Sequence, residues 1–267
     1  MIQIDPELAK RLVTLGHFLA DEAGAAILPY FRSAALGTEN KDAAGYDPVT
    51  VADRAAEDAM RAVLARQRPE DAILGEERGS SAGTSGLTWV LDPIDGTRGF
   101  VSGTPTWGVL IALSDDSGPR FGIVDQPYTC ERFFGGLGEA SWCGPHGSGA
   151  LATRDTARLE DAVLFTTFPE VGTESDAAGF RRVAQHARLT RYGMDCYAYA
   201  LLAAGQIDLV IEAGLNPYDI HAPIAVIEAA GGIVTDWQGG PAHGGGRVVA
   251  AANAEIHARA LDRLNAG

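Results

Sequence analysis

The stretch "WVLDPIDGTRGF", residues 89–100, places Asp92 and Asp95 three positions apart at the end of an apolar run. Two carboxylates at close range repel each other, and burial makes each charge more costly. Asp-Pro and Asp-Gly pairs also form turns, so a simple turn is the competing interpretation. A divalent cation would remove the repulsion, because Mg²⁺ prefers carboxylates, backbone carbonyls and water as ligands. The carbonyl of Ile94, inside the same turn, is a further candidate ligand.

Gly96 and Thr97 follow these acids directly. Glycine allows a close approach of the backbone, and the free N–H groups at the start of a helix can hold a phosphate. The Thr97 hydroxyl could hold a water molecule, but a threonine here could equally be the N-cap of a helix. The local sequence leaves both roles open.

Further acids lie at the predicted ends of other elements. Glu76 and Glu77 follow the apolar run "AILG", and we expect Glu76 to point back to the sheet end and Glu77 to be solvated. Asp219, within "GLNPYDIHAPIAVIEAAGG" (214–232), is predicted to be a helix N-cap, a role compatible with binding a metal. Asp195 is a candidate cap of the predicted helix "CYAYALLAAG", and Glu212 ends the strand "DLVIE". Each could bind a cationic group or could be exposed to solvent.

Composition narrows the class of protein. The 267 residues suffice for one large or two small domains, and 46% hydrophobic with 21% charged residues is typical of a globular protein. A net charge of −14 argues against nucleic acid or an anionic membrane as a partner. The three cysteines lack CxxC spacing, which argues against a disulfide framework or a structural zinc site. No run is long and apolar enough to span a membrane, and the N-terminus does not resemble a signal peptide, so we expect a cytoplasmic location.

Hydrophobic periodicity predicts the elements. Helices are predicted at 6–32, where Pro29 is expected to kink or end the helix, and at 50–67, 175–187, 195–204, 219–230 and 254–265. Short β-rich runs between 88 and 136 predict an antiparallel sheet, and strands alternate with helices after 162. We expect a loop or short hairpin at 33–50, a mobile loop at 78–86 and a glycine-rich connection at 142–150. The predicted fold class is α/β, with an N-terminal α+β half (1–145) and a C-terminal α/β half (146–267) forming one catalytic unit.

Three motifs together resemble the inositol monophosphatase superfamily. They are "GEE" (75–77), "WVLDPIDGTRGF" (89–100) and "PYDIHAPIAVIEAAGG" (217–232), and their order and separations fit the superfamily over nearly the whole chain. The third motif departs from the usual Trp-Asp form, since Tyr218 replaces the Trp, and His221 and Ala222 follow Ile220. The resemblance implies a layered α-β-α-β-α sandwich of the inositol monophosphatase and fructose-1,6-bisphosphatase type, Mg²⁺-dependent phosphomonoester hydrolysis and a homodimer.

The resemblance also implies roles for individual residues. Two or three Mg²⁺ ions would be bound by Glu76, Asp92, Asp95, Asp219 and the carbonyl of Ile94. Thr97 and Glu76 would position and activate the attacking water, beside the metal-bound Asp95. The amides of Gly96 and Thr97 would hold the phosphate. Asp47, in "YDPVTVAD", matches a family acid near the third metal, although an Asp-Pro turn also explains it.

A finer resemblance concerns the substrate. Arg98, the "DQP" and "ERF" runs and "DCYAYALLA" are similar to histidinol-phosphate phosphatases of the same superfamily. This implies hydrolysis of L-histidinol phosphate, a step of histidine biosynthesis, with Arg98, Asp195, Glu212 and Asp219 around the substrate. Asp195 stands where inositol monophosphatases usually carry a small neutral residue, and with Glu212 it would face the substrate ammonium. The alternatives are an inositol, sugar or nucleotide phosphatase of the same superfamily and, more remotely, a non-catalytic metal-dependent binding protein.

Overall fold

Two large β-sheets and seven α-helices make up the residues that the computed structural model describes, which are 2–34, 36, 38–40 and 48–266. The helices are α1 (Pro6–Ile27), α2 (Val51–Gln67), α3 (Thr97–Ser102), α4 (Glu174–Ala184), α5 (Asp195–Ala203), α6 (Pro217–Ala229) and α7 (Ala254–Leu264). The strands are β1 (Thr38–Asn40), β2 (Pro48–Thr50), β3 (Ala72–Gly75), β4 (Gly79–Ser81), β5 (Thr88–Asp95), β6 (Gly108–Asp115), β7 (Gly118–Gln126), β8 (Glu131–Gly136), β9 (Glu139–Gly144), β10 (Gly147–Ala150), β11 (Val163–Thr166), β12 (Leu189–Tyr192), β13 (Leu209–Leu215), β14 (Ile233–Asp236) and β15 (Gly246–Ala251).

The strands form an eight-stranded sheet in the order β10-β9-β8-β7-β6-β5-β3-β4 and a five-stranded sheet in the order β12-β11-β13-β15-β14. The hairpin β1-β2 stands apart from both. The large sheet is antiparallel from β5 to β10, which confirms the prediction for β5 to β8, but β3 pairs with β5 in parallel. In the small sheet β11 is parallel to β12 and β13, whereas β15 is antiparallel to both of its neighbours.

Side chains that alternate along the strands divide the core into three layers. On β5, Trp89 and Leu91 pack with α1 and α2, while Val90 packs on the other face with α5 and α6. On β13, Val210 faces this same central layer, whereas Leu209 packs with α4 and α7. The order of layers is therefore α1/α2, large sheet, α5/α6, small sheet, α4/α7. The predicted α-β-α-β-α sandwich is confirmed.

Local sequence signals explain how the first two helices begin. The Asp5 carboxylate accepts a hydrogen bond from the Leu8 amide at 2.8 Å, and Pro6 occupies the first turn of α1. Helix α1 ends at Ile27, because Pro29 cannot donate the next backbone hydrogen bonds, so the predicted limit of 32 is too long. Helix α2 begins with a capping box formed by Thr50 and Asp53.

Several expectations for the loops are wrong. The predicted mobile loop at 78–86 contains the edge strand β4, which pairs with β3. The predicted connection at 142–150 forms most of the hairpin β9-β10 at the other edge of the large sheet. In both places glycine and serine are compatible with edge strands, which need no apolar face, so composition alone predicted loops. Among the described residues, no helix has the length and apolar character required to cross a bilayer.

Candidate metal centre

Three carboxylates converge at the end of the large sheet, next to the central helix layer. One oxygen from each of Asp92, Asp95 and Asp219 lies within 4.8 Å of the others. Asp92 is buried, whereas the other two are half-buried and line a cavity of about 310 Å³. All the predicted site residues within the described ranges line this cavity: Glu76, Asp92, Ile94, Asp95, Gly96, Thr97, Arg98, Asp195, Glu212 and Asp219.

A β-bulge brings Asp92 and Asp95 to the same place. Side chains an odd number of positions apart in a regular strand point to opposite faces of the sheet. Here Asp92 pairs with Leu110 but Asp95 pairs with Gly108, so β5 has three steps where β6 has two. The extra residue falls beside Pro93, which a regular central strand would not accommodate. The bulge cancels the odd spacing, and both carboxylates face the cavity.

Glu76 is positioned by a buried carboxylate in α2. Glu57 is fully buried and accepts hydrogen bonds from the amides of Glu77 (2.7 Å) and Arg78 (3.1 Å), while Arg61 forms an ion pair with it at 2.7 Å. A Cβ atom at Gly75 would lie 2.1 Å from the Glu57 carboxylate, so only glycine fits there. The prediction that Glu77 is solvated is wrong, since its side chain is 3% exposed and lies 3.9 Å from Arg54.

The other two acids are held at helix N-termini. Asp95 Oδ2 accepts a hydrogen bond of 2.6 Å from the Cys196 amide in the first turn of α5. Asp219 is not the N-cap that the sequence predicted. The N-cap of α6 is Asn216, and Asp219 at the third position closes a capping box by accepting from the Asn216 amide at 2.6 Å. One carboxylate oxygen is used there, and Asp219 still contributes to the acidic cluster.

Burial and mutual repulsion raise the pKa of both central acids. Desolvation is the main cause for each. The pKa of Asp92 is raised further by Glu76, Asp95 and Asp219, and that of Asp95 by Asp195 and Asp219. A cation at this point would reverse the effect and favour the ionised carboxylates. An all-oxygen set of four carboxylates and the Ile94 carbonyl fits Mg²⁺ or a similar hard cation.

Tyr199 is a buried residue that lines the cavity, and its hydroxyl also indicates a site for a polar ligand. Its hydroxyl is buried and, within the described part of the chain, has no hydrogen-bond partner. Burial raises the pKa of Tyr199 well above its ordinary value, and Glu212, Asp95 and Asp219 raise it further. The hydroxyl is therefore a neutral polar group beside the acids. A buried polar group of this kind normally has a partner, so this part of the cavity is suited to a polar ligand or an ordered water.

Thr97 contacts a carboxylate that the sequence analysis missed. Its hydroxyl donates to the Ile94 carbonyl at 3.0 Å and lies 3.5 Å from Asp53 Oδ1. Asp53 is 1% exposed, and burial raises its pKa to about 6, with Glu76 and Glu77 adding to the effect and hydrogen bonds from Thr50 opposing it. Thr97 is not the N-cap of α3, because Gly96 occupies that position with φ 84°. The predicted catalytic acid Asp47 lies outside the described residues.

Two further acids line the cavity beyond the cluster. Glu212 is buried and accepts hydrogen bonds from the Thr167 amide (2.7 Å), the Thr167 hydroxyl (2.9 Å) and the Thr166 hydroxyl (3.1 Å). Burial nevertheless raises its pKa to about 7. Burial also raises the pKa of Asp195 to about 6, although a hydrogen bond from Thr106 and the charge of Arg98 act in the opposite direction. Neither acid is simply exposed.

Asp195 is the first residue of α5 rather than its cap. The N-cap is Met194, and Asp195 itself adopts φ 44°. Its side chain lies against Gly96, where an added Cβ atom would come within 2.8 Å of the Asp195 Cβ. The glycine after Asp95 therefore allows α5 to approach the bulged end of β5, and it brings Asp195 next to the acidic cluster.

Comparisons with known proteins agree with this geometry. The family model described as the inositol monophosphatase family matches residues 10–266. The chloroplastic bifunctional phosphatase IMPL2 of Arabidopsis thaliana is 40% identical over 97% of this chain and 76% of its own length. A histidinol-phosphatase of Mycobacterium tuberculosis is 37% identical over 82% of this chain and 85% of its own. The structure of an inositol monophosphatase from Zymomonas mobilis aligns with a TM-score of 0.84 at 40% identity, over 96% of this chain and 98% of that one.

Proposed function

The chain belongs to the inositol monophosphatase family, whose members are metal-dependent phosphatases, and from this we propose that it hydrolyses L-histidinol phosphate with the help of Mg²⁺. One water is consumed. Its oxygen bonds to phosphorus, the bond between phosphorus and the ester oxygen breaks, and histidinol leaves with a proton on that oxygen. The products are L-histidinol and inorganic phosphate.

The choice of substrate rests on Asp195 and Glu212, the two acids that line the cavity outside the metal cluster. Asp195 and Glu212 line the same cavity as the cluster, and Asp195 lies beside Gly96. Histidinol phosphate carries an ammonium group on the carbon next to the one that bears the phosphate, whereas inositol phosphate carries only hydroxyl groups there. Two carboxylates that burial makes costly would be stabilised by an ammonium group. The similarity to the histidinol-phosphatase of Mycobacterium tuberculosis supports the same choice.

In this proposal Glu76, Asp92, Asp95, Asp219 and the Ile94 carbonyl hold two or three Mg²⁺ ions. Such ions, when bound, neutralise the charge that develops on the phosphate oxygens and lower the pKa of a bound water. The amides of Gly96 and Thr97 hold a phosphate oxygen at the start of α3.

Side chains of α2, α3 and the turn after β3 would accept the proton of the attacking water and orient that water. Thr97 Oγ1 donates to the Ile94 carbonyl, so its lone pairs are left to accept a hydrogen bond from the water. For the relay, the hydroxyl would turn its single proton from the Ile94 carbonyl to Asp53 Oδ1, now 3.5 Å away, as it takes up the proton of the water. Glu76, next to the turn that Glu57 anchors, lines the same cavity and would orient the same water. The proposal adds Asp53 to the predicted catalytic residues, while Asp47, outside the described residues, stays a prediction.

A second candidate, inositol monophosphate hydrolysis, is favoured by one observation. Three groups from Thr166 and Thr167 hold Glu212 in place as a buried hydrogen-bond acceptor, and such a group would also bind a substrate hydroxyl. The similarity to the inositol monophosphatase from Zymomonas mobilis supports this alternative.

A substrate panel tests the proposal. The metal-stripped protein should be inactive, and Mg²⁺ should restore hydrolysis of L-histidinol phosphate with a kcat/KM well above that for inositol 1-phosphate. Comparable or faster turnover of inositol 1-phosphate would overturn the assignment and favour the alternative. Activity that survives chelation would overturn the metal requirement.

The expected homodimer belongs to the same proposal. Strand β12 is an edge of the small sheet, and its Leu189 and Tyr192 are 47% and 46% exposed. An edge strand that exposes two large side chains of this kind is suited to pairing with or burial against another subunit. Light scattering coupled to size-exclusion chromatography should give twice the mass of the chain, and a monomeric mass at micromolar concentration would contradict the dimer.

A further inference from the structure

An aromatic side chain stands at the rim of the cavity without being buried in the core. Phe168, two residues after the end of β11, is 43% exposed. Among the large hydrophobic side chains that are exposed in the described part of the chain, it is the one that lines the cavity. An exposed aromatic ring in a cavity wall is a candidate contact for a flat or apolar part of a ligand.

Arg98 restricts this ring from the opposite wall. The guanidinium carbon of Arg98 lies 4.9 Å from the centroid of the Phe168 ring, which is a cation–π geometry. Arg98 belongs to the first turn of α3, immediately after Thr97, whereas Phe168 follows the small sheet. The contact therefore joins the two walls of the cavity. It supports one side of the ring, and nearly half of the residue remains accessible.

The position of Phe168 relative to the acids is also fixed. Its neighbour Thr167 donates two hydrogen bonds to Glu212, from its amide and its hydroxyl. On the other wall, an added Cβ atom at Gly99, the residue after Arg98, would lie 3.5 Å from Asp195 Oδ2. Each partner of the cation–π contact is therefore next in sequence to a residue that touches one of the two outer acids. Phe168, the two outer acids and the metal cluster therefore line one cavity.

We propose that Phe168 is a specificity-determining residue, on which the imidazole ring of the substrate stacks. The inference rests on the proposed function. In L-histidinol phosphate the phosphate, the ammonium and the imidazole follow one another along a three-carbon chain. Partners for all three groups line the same cavity: the cluster acids, Asp195 with Glu212, and Phe168. An imidazole is a flat π-system and gains from offset stacking on a ring that is already held in place.

The test compares two substrates on two variants. Phe168→Leu keeps an apolar side chain but removes the π-face, and Phe168→Tyr keeps the ring. The substrates are L-histidinol phosphate and O-phosphoethanolamine, which has the phosphate and the ammonium but no ring. Phe168→Leu should raise the KM for histidinol phosphate about threefold to tenfold with little change in kcat, and it should leave the KM for phosphoethanolamine unchanged. Phe168→Tyr should resemble the wild type with both substrates.

The controls separate this inference from its premise. Leu28→Ala truncates an apolar side chain of similar exposure that does not line the cavity and should change neither KM. Unchanged kinetics in Phe168→Leu, or an equal rise of KM for both substrates, would overturn the stacking role while leaving the proposed function intact. Failure of the wild-type protein to hydrolyse histidinol phosphate would instead overturn the proposed function, and the inference with it.

Discussion

The carboxylate of Asp53 and the hydroxyl of Thr97 lie 3.5 Å apart, although 44 positions separate them in the sequence. Asp53 stands in the first turn of α2 and Thr97 begins α3, so two helix starts meet beside the bulged end of β5. The pair joins a buried acid with a raised pKa to a hydroxyl that faces the cavity. This is the arrangement expected of a base that acts through a hydroxyl.

Replacing Asp53 with Asn should therefore reduce kcat about 100-fold or more, because proton transfer by a positioned side chain contributes roughly that factor. The amide preserves the volume and can still accept hydrogen bonds in the capping box with Thr50. The measurement is kcat at saturating Mg²⁺ and substrate. Asp58→Asn is the matched control in the same helix, since Asp58 is 55% exposed and pairs with Arg78 at the surface. Near-normal kcat in Asp53→Asn would contradict the relay.

The same substitution should change how stability depends on pH in the metal-free protein. The folded-state pKa of Asp53 is about 6, against 3.8 for the unfolded reference. The folded state thus retains a proton that the unfolded chain has released. The associated stability is fully present below about pH 4 and is lost as the pH rises to about 6.

Other groups also titrate between about pH 4 and pH 7, among them histidines with lowered pKa values. The free energy of unfolding of the variant is therefore compared with that of the wild type at each pH. Urea unfolding with chelator present should show that Asp53→Asn gains on the order of 2 kcal/mol relative to the wild type between about pH 4 and pH 7. A constant difference across this range would show that the Asp53 pKa is not raised.

Asp92→Asn should abolish turnover and also remove the stabilisation that Mg²⁺ gives to the folded protein. Asp92 is 2% exposed at the centre of the acidic cluster, so the substitution removes one negative charge without opening a cavity. Thermal unfolding with and without Mg²⁺ measures the effect independently of activity, because ligands of the folded state raise Tm. Asp116→Asn, at an exposed position, is the control and should keep the shift. An unchanged shift in Asp92→Asn would refute its role as a ligand.

Most residues of the candidate site could be predicted from the sequence, because they lie in short motifs or at spacings that the family shares. Asp92, Ile94, Asp95, Gly96 and Thr97 lie within six consecutive positions, and no knowledge of the fold was needed to group them. The β-bulge that turns Asp92 and Asp95 to the same side could not be predicted from the sequence, because it is visible only in the pairing of β5 with β6. Without the bulge, the alternation of a strand would place Asp92 and Asp95 on opposite faces.

Asp53 was missed for a related reason. Its local pattern, Thr50 followed three positions later by an acid, is a complete capping box and needs no further explanation. Its contact with Thr97 is non-local. Asp47 was predicted from the family resemblance, since its local Asp-Pro pattern indicates only a turn; it lies outside the described residues and stays a prediction. The error over Asp219 is similar, since an N-cap and the third helical position are one turn apart and both favour Asp.

Tyr199→Phe should stabilise the metal-free protein by about 1 kcal/mol. The Tyr199 hydroxyl is buried and has no hydrogen-bond partner among the described residues, so its removal relieves a desolvation cost without breaking a bond. The ring itself is retained in the central core layer. Chelator-treated wild type and variant can be compared by urea unfolding. A loss of stability of similar size would show that the hydroxyl has a structural partner in solution, such as an ordered water.

Asp195→Asn should distinguish a substrate that carries an amine from one that does not. Asparagine tolerates the left-handed backbone conformation of Asp195, φ 44°, so the variant should fold normally and lose only the charge. Because that charge lies in a partly buried wall of the cavity, its loss should lower kcat/KM for L-histidinol phosphate about tenfold to hundredfold. An aryl phosphate without an ammonium group should be hydrolysed nearly as well as by the wild type. The exposed control Asp155→Asn should affect neither substrate. If both activities of Asp195→Asn fall equally, Asp195 supports the metal centre through Asp95 rather than binding the amine.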